Sequence, residues 1–295
     1  MRPAHVIEIK TPKKFLLNGL WFGPLDKARG KPTKPKRAII WVHGLASSAF
    51  SKLGLVERLV DKDTAVITFN NRGSSTVTRT RKINPRKKGG MEYVVSGGAH
   101  EVFTECVDDI QGAIDFTKKQ GAKEIFLAGH STGAQKSVYF ASRKGNEKKI
   151  KGVILLAPLS DYAGALKEGK APLTKMTAAA QKLVRNGKKH AIVPGSWTDA
   201  QRFLSLYTPD STEEIFSYID PDTKPTIYES LKVPTLVLLA EDDEHADRDA
   251  ERIEAWFAKH ARMPRFGSAI IADADHGFTG AEKTVAGAIK DWISA

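Results

Sequence analysis

The sequence predicts an α/β fold: a mostly parallel, eight-stranded sheet with helices on both faces and a helical insertion before the last two strands. Three observations lead there. Short continuous apolar runs, among them "RAIIWVHG" (37–44), "GVILLAP" (152–158) and "VPTLVLLAEDD" (233–243), alternate with amphipathic helical patterns, as strands buried on both faces of a parallel sheet do. Between Leu159 and Lys232 the alternation stops, leaving helical pieces that carry Trp197, Phe203, Tyr207, Phe216 and Tyr218 and no buried-strand run. The string "GHSTG" (129–133) stands where the apolar run "EIFLA" gives way to a helical pattern.

Taken in order, "HVIEIK" and "FLLNGLWF" read as a hairpin joined at "TPKK". "RAIIWVHG", a helix around Leu53, Val56 and Leu59, and "TAVITFNNRG" (64–73) form a βαβ unit. A helix is predicted over 101–120, with Phe103, Val107, Ile110, Ile114 and Phe116 on or near one face and Gly121 as its stop. "KEIFLAGHS" is then the fifth strand-like segment, followed by a helix through "GAQKSVYFASRKG" and the strand "GVILLAP". After the insertion come "VPTLVLLAEDD", a helix around Ile253, Trp256 and Phe257, the strand "SAIIADADH" (268–276) and a last helix with Val285, Ile289 and Trp292. The domain reading is a core of 1–158 and 233–295 with a helical cap, 159–232, above the carboxyl ends of the strands, where open parallel sheets place ligands.

Composition narrows the class. With 41% hydrophobic and 27% charged residues, the 295-residue chain has the make-up of a soluble globular protein. Its apolar runs fall far short of the roughly 18 residues that a membrane span needs. The start, "MRPAHVIEIKTPKKF", alternates polar and apolar residues and predicts no secretory signal. A single cysteine, Cys106, permits no internal disulfide, which fits a cytoplasmic setting. No His/Cys set has zinc spacing and no glycine-rich phosphate loop is present, so neither metal nor organic cofactor is predicted. The net charge of +12 gathers in "KARGKPTKPKR" (27–37), "RTRKINPRKK" (79–88) and "KKIK" (148–151). None of these interleaves aromatics or carries a nucleic-acid-binding module, so nucleic acid is not the expected partner.

The chemistry gathers around Ser131. A nucleophilic serine at a strand-to-helix turn needs a tight, strained elbow, in which side chains two residues before and two after would clash. Gly129 and Gly133 meet that need, whereas a glycine-flanked turn serine without chemistry would not require the strand before it and the helix after it. The helix start also directs the N–H of Thr132 towards an oxyanion beside Ser131.

These residues resemble the serine-hydrolase branch of the α/β-hydrolase superfamily, along nearly the whole chain. The resemblance implies an acid and then a histidine later in the chain. "VLLAEDDEHAD" places Asp243 where the acid usually stands, with Asp242 beside it and Asp161, after "VILLAPLS", as rivals. "IIADADHGF" supplies His276, whereas His130 is expected to point away from Ser131 and pack, and His43 to shape its loop. In relatives with "HG" after the third strand the next backbone N–H completes the oxyanion hole, which implies Leu45, with Ala46 as the alternative. "GHSTGAQ", "APLSDYAGAL" and "AEDDEH" further resemble a little-characterised group that includes fungal siderophore esterases, whose typical version has cysteine where Ala134 stands. The implied activity is hydrolysis of small-molecule carboxylic esters through an acyl-enzyme on a Ser131–His276–Asp243 triad. A thioesterase, amidase, peptidase or acyltransferase would keep the same residues, and a non-catalytic ligand-binding protein would keep the fold. The run from Arg79 to Lys88, with six basic residues in ten, is expected to attract anionic substrates.

Overall fold

The computed structural model describes residues 3–24, 33–220 and 222–295. Positions 27–32 of the first basic run lie outside the described residues. The chain begins with a hairpin, β1 (His5–Lys10) and β2 (Phe15–Phe22), followed by β3 (Arg37–Val42), α1 (Leu53–Leu59) and β4 (Thr64–Phe69). Two further strands, β5 (Thr78–Ile83) and β6 (Met91–Ser96), precede α2 (Cys106–Lys119), β7 (Glu124–His130), α3 (Thr132–Ser142) and β8 (Gly152–Leu156). Four helices come next: α4 (Asp161–Glu168), α5 (Lys170–Arg185), α6 (Ala200–Tyr207) and α7 (Thr226–Glu229). The chain closes with β9 (Thr235–Ala240), α8 (Ala250–His260), β10 (Phe266–Ile271) and α9 (Glu282–Ser294).

The sheet has ten strands rather than the eight expected, in the order β10-β9-β8-β7-β3-β4-β2-β5-β6 with β1 paired to β2. From β10 to β4 every pairing is parallel; β2, β5, β6 and β1 join antiparallel. The two additional strands have a physical reason to escape a reading of apolar patterns. β5, "TRTRKI", is built from threonine and basic residues and touches β2 at only Phe15↔Lys82 and Leu16↔Arg81. It forms a two-stranded ribbon with β6 whose Tyr93 and Val95 face solvent, so no buried face marks it. The turn that carries Ser131 therefore follows the seventh strand of the chain, not the fifth.

Period-two alternation in the central strands divides the core between the two faces of the sheet. Ile40 and Val42 join Ile110, Ile114, Val138, Phe140 and Phe257 on one face, while Ile39 and Trp41 join Leu55, Val56, Leu59, Val285 and Ile289 on the other. The helix predicted from 101 starts later, because Phe103–Glu105 form a 3₁₀ turn and α2 begins at Cys106. Its end is as expected: Gly121 takes a φ of 97°, a left-handed conformation that glycine adopts without a Cβ clash. Glu105, Asp108 and Asp109 at the start of α2 converge on buried Arg72, at 2.9, 3.2 and 2.8 Å, and clamp the loop leaving β4. Between β8 and β9 the described residues contain helices and a single isolated bridge, Ile192↔Asp199. This segment has a small core of its own, formed by Leu173, Ala180, Val193, Ala200 and Phe203.

Candidate active site

Ser131 occupies the turn between β7 and α3 with φ 56° and ψ −130°, a strained conformation for a residue with a side chain. The surrounding backbone leaves no alternative path. A Cβ on Gly129 would lie 2.2 Å from the Gly133 carbonyl oxygen, and one on Gly133 would lie 2.1 Å from that of Val42. The two glycines flanking the serine are thus required by contact, as the spacing suggested. The loop after β3 closes on the same point: a Cβ on Gly44 would approach Ser131 Cβ to 2.9 Å.

His276 sits in the loop after β10. Its Nδ1 lies 2.8 Å from Asp243 Oδ2, and the Asp243 side chain is 5% exposed. A carboxylate can only accept, so Nδ1 carries the proton and Nε2 keeps its lone pair. Asp243 is further fixed by the His245 N–H, which donates to Oδ1 at 3.0 Å, and the His276 N–H donates to Glu244 Oε2 at 2.9 Å. Asp242 is exposed and grouped with Glu241 and Asp273. Asp161 instead accepts a hydrogen bond from Gln135 Nε2 at 3.0 Å.

His130 packs, as its position suggested, with its ring stacked on Trp41 and edge-on to Phe278. It also does something the sequence did not signal: Nε2–H donates to the His276 carbonyl oxygen at 2.8 Å. Burial, with His276 adding to it, lowers its pKa to about 3, so it supports the His276 loop as a neutral donor. His43 is likewise buried; its Nδ1–H donates to the Gly44 carbonyl at 2.8 Å, and burial together with Lys136 lowers its pKa to about 4. It holds the loop that carries Leu45 in shape.

Ser131, His276, Leu45 and Thr132 all line one cavity of about 640 Å³. Thr132 is the first residue of α3, so its N–H has no acceptor within the helix. Ala46 is not among the lining residues; it packs on Gly98, whose Cβ would lie 2.9 Å from its own. The segment between β8 and β9 supplies most of the apolar wall, through Leu173, Met176, Trp197, Phe203 and Tyr207. None of the basic residues from Arg79 to Lys88 reaches the cavity; the lysines that line it are Lys52 and Lys167.

Behind the cavity lies a buried ionic network that no sequence pattern announced. Lys136 of α3, fully buried, places Nζ 2.6 Å from Glu101 Oε1. Arg202 of α6, also fully buried, lies 3.1 Å from Glu101 Oε2 and pairs with Glu213. Burial pushes the Glu101 carboxyl up, but Lys136 and Arg202 outweigh it and hold the group ionised. Nearby Glu214 accepts from Ser160 Oγ at 2.5 Å, and burial raises its pKa to about 8. Its folded value lies above its unfolded one, so between them the native state keeps a proton that the unfolded chain releases. Stability should therefore fall as pH rises from about 4.5 to about 8. Glu214→Gln removes this dependence, and urea unfolding at both ends of the window should show it matching wild type at the acid end and exceeding it at the alkaline end by on the order of 4–5 kcal/mol.

The sheet order, the elbow and the acid and histidine loops leaving the same rim define an α/β-hydrolase fold. Solved structures of that class match along the whole chain. An esterase of Pyrococcus furiosus, Pf2001, has a TM-score of 0.60 at 17% identity, covering 99% of this chain and 91% of that one. Est1E of Butyrivibrio proteoclasticus, with ferulic acid bound, has a TM-score of 0.62 at 16% identity and covers 97% of both chains. A thermostable carboxyl esterase of Bacillus coagulans matches with a TM-score of 0.62 at 12% identity, over 100% and 99% of the two chains. The chain belongs to the family described as "Protein of unknown function (DUF1749)", whose model matches residues 100–293. A tear acid lipase-like protein of Mesocricetus auratus is 29% identical over 148 residues, 46% of this chain and 35% of that protein, so the match spans about a third of the relative's length.

Proposed function

We propose that this protein is a serine hydrolase that cleaves carboxylic esters through an acyl-enzyme. The observation that carries the reading is the 2.8 Å His276–Asp243 hydrogen bond opening onto the cavity that Ser131 enters from a strained elbow. Ser131 Oγ attacks the ester carbonyl while His276 Nε2 takes its proton, and Asp243 stabilises the imidazolium formed. The negative charge on the tetrahedral intermediate is met by the N–H groups of Thr132 and Leu45. The imidazolium then protonates the leaving alcohol, and water repeats the sequence to release the acid and restore Ser131. Each proton taken from a nucleophile returns to a leaving group, so the cycle closes without a cofactor.

Residues 159–232 act in this reading as a cap whose apolar residues wall the acyl site, over a core of 1–158 and 233–295. Structural neighbours named as esterases support ester chemistry over the other reactions open to the same residues. Among the described residues no helix is long and apolar enough to cross a membrane, and a cytoplasmic setting accords with the free, buried Cys106. The test is labelling with a fluorophosphonate, followed by a panel of p-nitrophenyl esters, thioesters and amides. Ser131 should be the labelled residue and esters the preferred substrates; a protein that neither takes the label nor turns over any ester is not this enzyme.

A further inference from the structure

Asp161, half-buried beside this network, presents its acid to the cavity. It opens α4, it lines the cavity, and its Oδ2 is held by Gln135 Nε2 at 3.0 Å. Gln135 is itself buried, and its Nε2 also donates to the Leu159 carbonyl at 2.9 Å, which fixes the amide and with it the carboxyl. Gln135 follows Ser131 by one turn of α3, roughly 6 Å along the helix axis. The carboxyl therefore stands within reach of a short group attached to a substrate at Ser131.

The neighbouring charges leave this acid without a partner. The two buried cations are engaged elsewhere, Lys136 by Glu101, and Arg202 by Glu213 and Glu101. Two more carboxyls, Asp161 and Glu214, share the region with no cation in contact among the described residues. Burial, reinforced by the Glu213 carboxylate, raises Asp161 to about 7, against the opposing pull of Arg202, His276 and Lys136, none of which is in contact with it. Of the lysines of the cavity, Lys167 Nζ donates to the Ala246 carbonyl at 2.7 Å, and Lys52 Nζ lies against the backbone of Gly277 in the His276 loop.

Resting on the esterase reading, we propose that the cavity selects esters whose acyl group carries an ammonium, held by the Asp161 carboxyl on the side walled by α4. The remaining wall, with Leu173, Met176, Phe203 and Tyr207, would surround the aliphatic part of such an acyl group. An ammonium supplies the missing charge and donates to the oxygen that Gln135 leaves open. This is the sign opposite to the anionic substrate that the basic run at 79–88 suggests. The overall charge of +12 acts from outside and is screened by salt over roughly 10 Å, whereas Asp161 acts at contact.

The experiment uses full-length Ser131→Ala protein, which binds without turnover, and measures by calorimetry the affinities of n-hexylammonium, hexan-1-ol and hexanoate. The ammonium should bind at least roughly tenfold more tightly than the alcohol, with hexanoate weakest. Adding Asp161→Asn should bring the ammonium-to-alcohol ratio close to one, and measurable alcohol binding establishes that the double variant retains its cavity. Equal affinities for ammonium and alcohol in the single variant, which needs no change at Asp161, would overturn the proposal, as would a preference that survives Asp161→Asn. Because these are binding measurements, they report on Asp161 whether or not Ser131 takes the fluorophosphonate label. With wild-type protein, matched phenyl esters ending in ammonium, methyl or carboxylate should fall in that order of kcat/KM.

Discussion

His276→Ala should lower kcat for ester hydrolysis by roughly four to six orders of magnitude with little change in KM, and Asp243→Asn by roughly four. In the proposed mechanism the first removes the base that takes the Ser131 proton. The second leaves the ring where it is but reverses the proton arrangement. An amide in place of the carboxylate at 2.8 Å can donate to Nδ1, which puts the ring proton on Nε2, where the lone pair is needed. Steady-state rates on a p-nitrophenyl ester, with unfolding curves for each variant, check the expectation. Activity within about tenfold of wild type for either variant would remove His276 and Asp243 from the mechanism.

The largest effect on stability is expected at Glu101. Glu101→Ala leaves the fully buried Lys136 ammonium and Arg202 guanidinium facing each other across the space of a lost carboxylate. Removing one partner of a buried ion pair costs about 3–5 kcal/mol, chiefly because the remaining charge stays desolvated. Lys136 loses its carboxylate while Arg202 keeps Glu213, so the loss should fall within that range. Glu101→Gln, which keeps the shape and one acceptor, should fall between that variant and wild type. Urea denaturation measures both; a loss below about 1 kcal/mol for Glu101→Ala would mean that water reaches the network. The backbone near Glu101 adds to the tie, since Asp199 N–H donates to the Ala99 carbonyl at 2.9 Å and Gln201 Nε2 to the Glu101 carbonyl at 3.1 Å. Loosening this joint should also disturb α6, which carries Phe203 and Tyr207 into the cavity.

The central strands and their helices were legible because burial writes itself into the order of residues. "AIIWV" in β3 and "TLVLLA" in β9 are continuous apolar runs, and each is buried throughout. The elbow was legible because steric contact admits only glycine at 129 and 133. Asp243 and Asp242 are adjacent in the chain, and what separates them is which side chain the loop after β9 turns inward, a property of the fold rather than of the string. The β5–β6 ribbon was missed because its side chains are half solvated on both faces. Lys136, Glu101 and Arg202 were missed for a related reason: a charge is read as a surface residue, and its burial depends on partners 35 and 101 positions away in the sequence. The supporting role of His130 could not be read either, since its acceptor is a backbone carbonyl 146 positions later.

Helices α4, α5 and α6 contribute walls but neither Ser131 nor His276 nor Asp243. In the proposed mechanism, reaction and recognition are therefore written in separate stretches of the polymer. New substrates could be admitted by exchanging α5 or the loop bearing Trp197, leaving the proton relay untouched, and the border that such an exchange must respect is the charged seam between α6 and the strand-bearing layer.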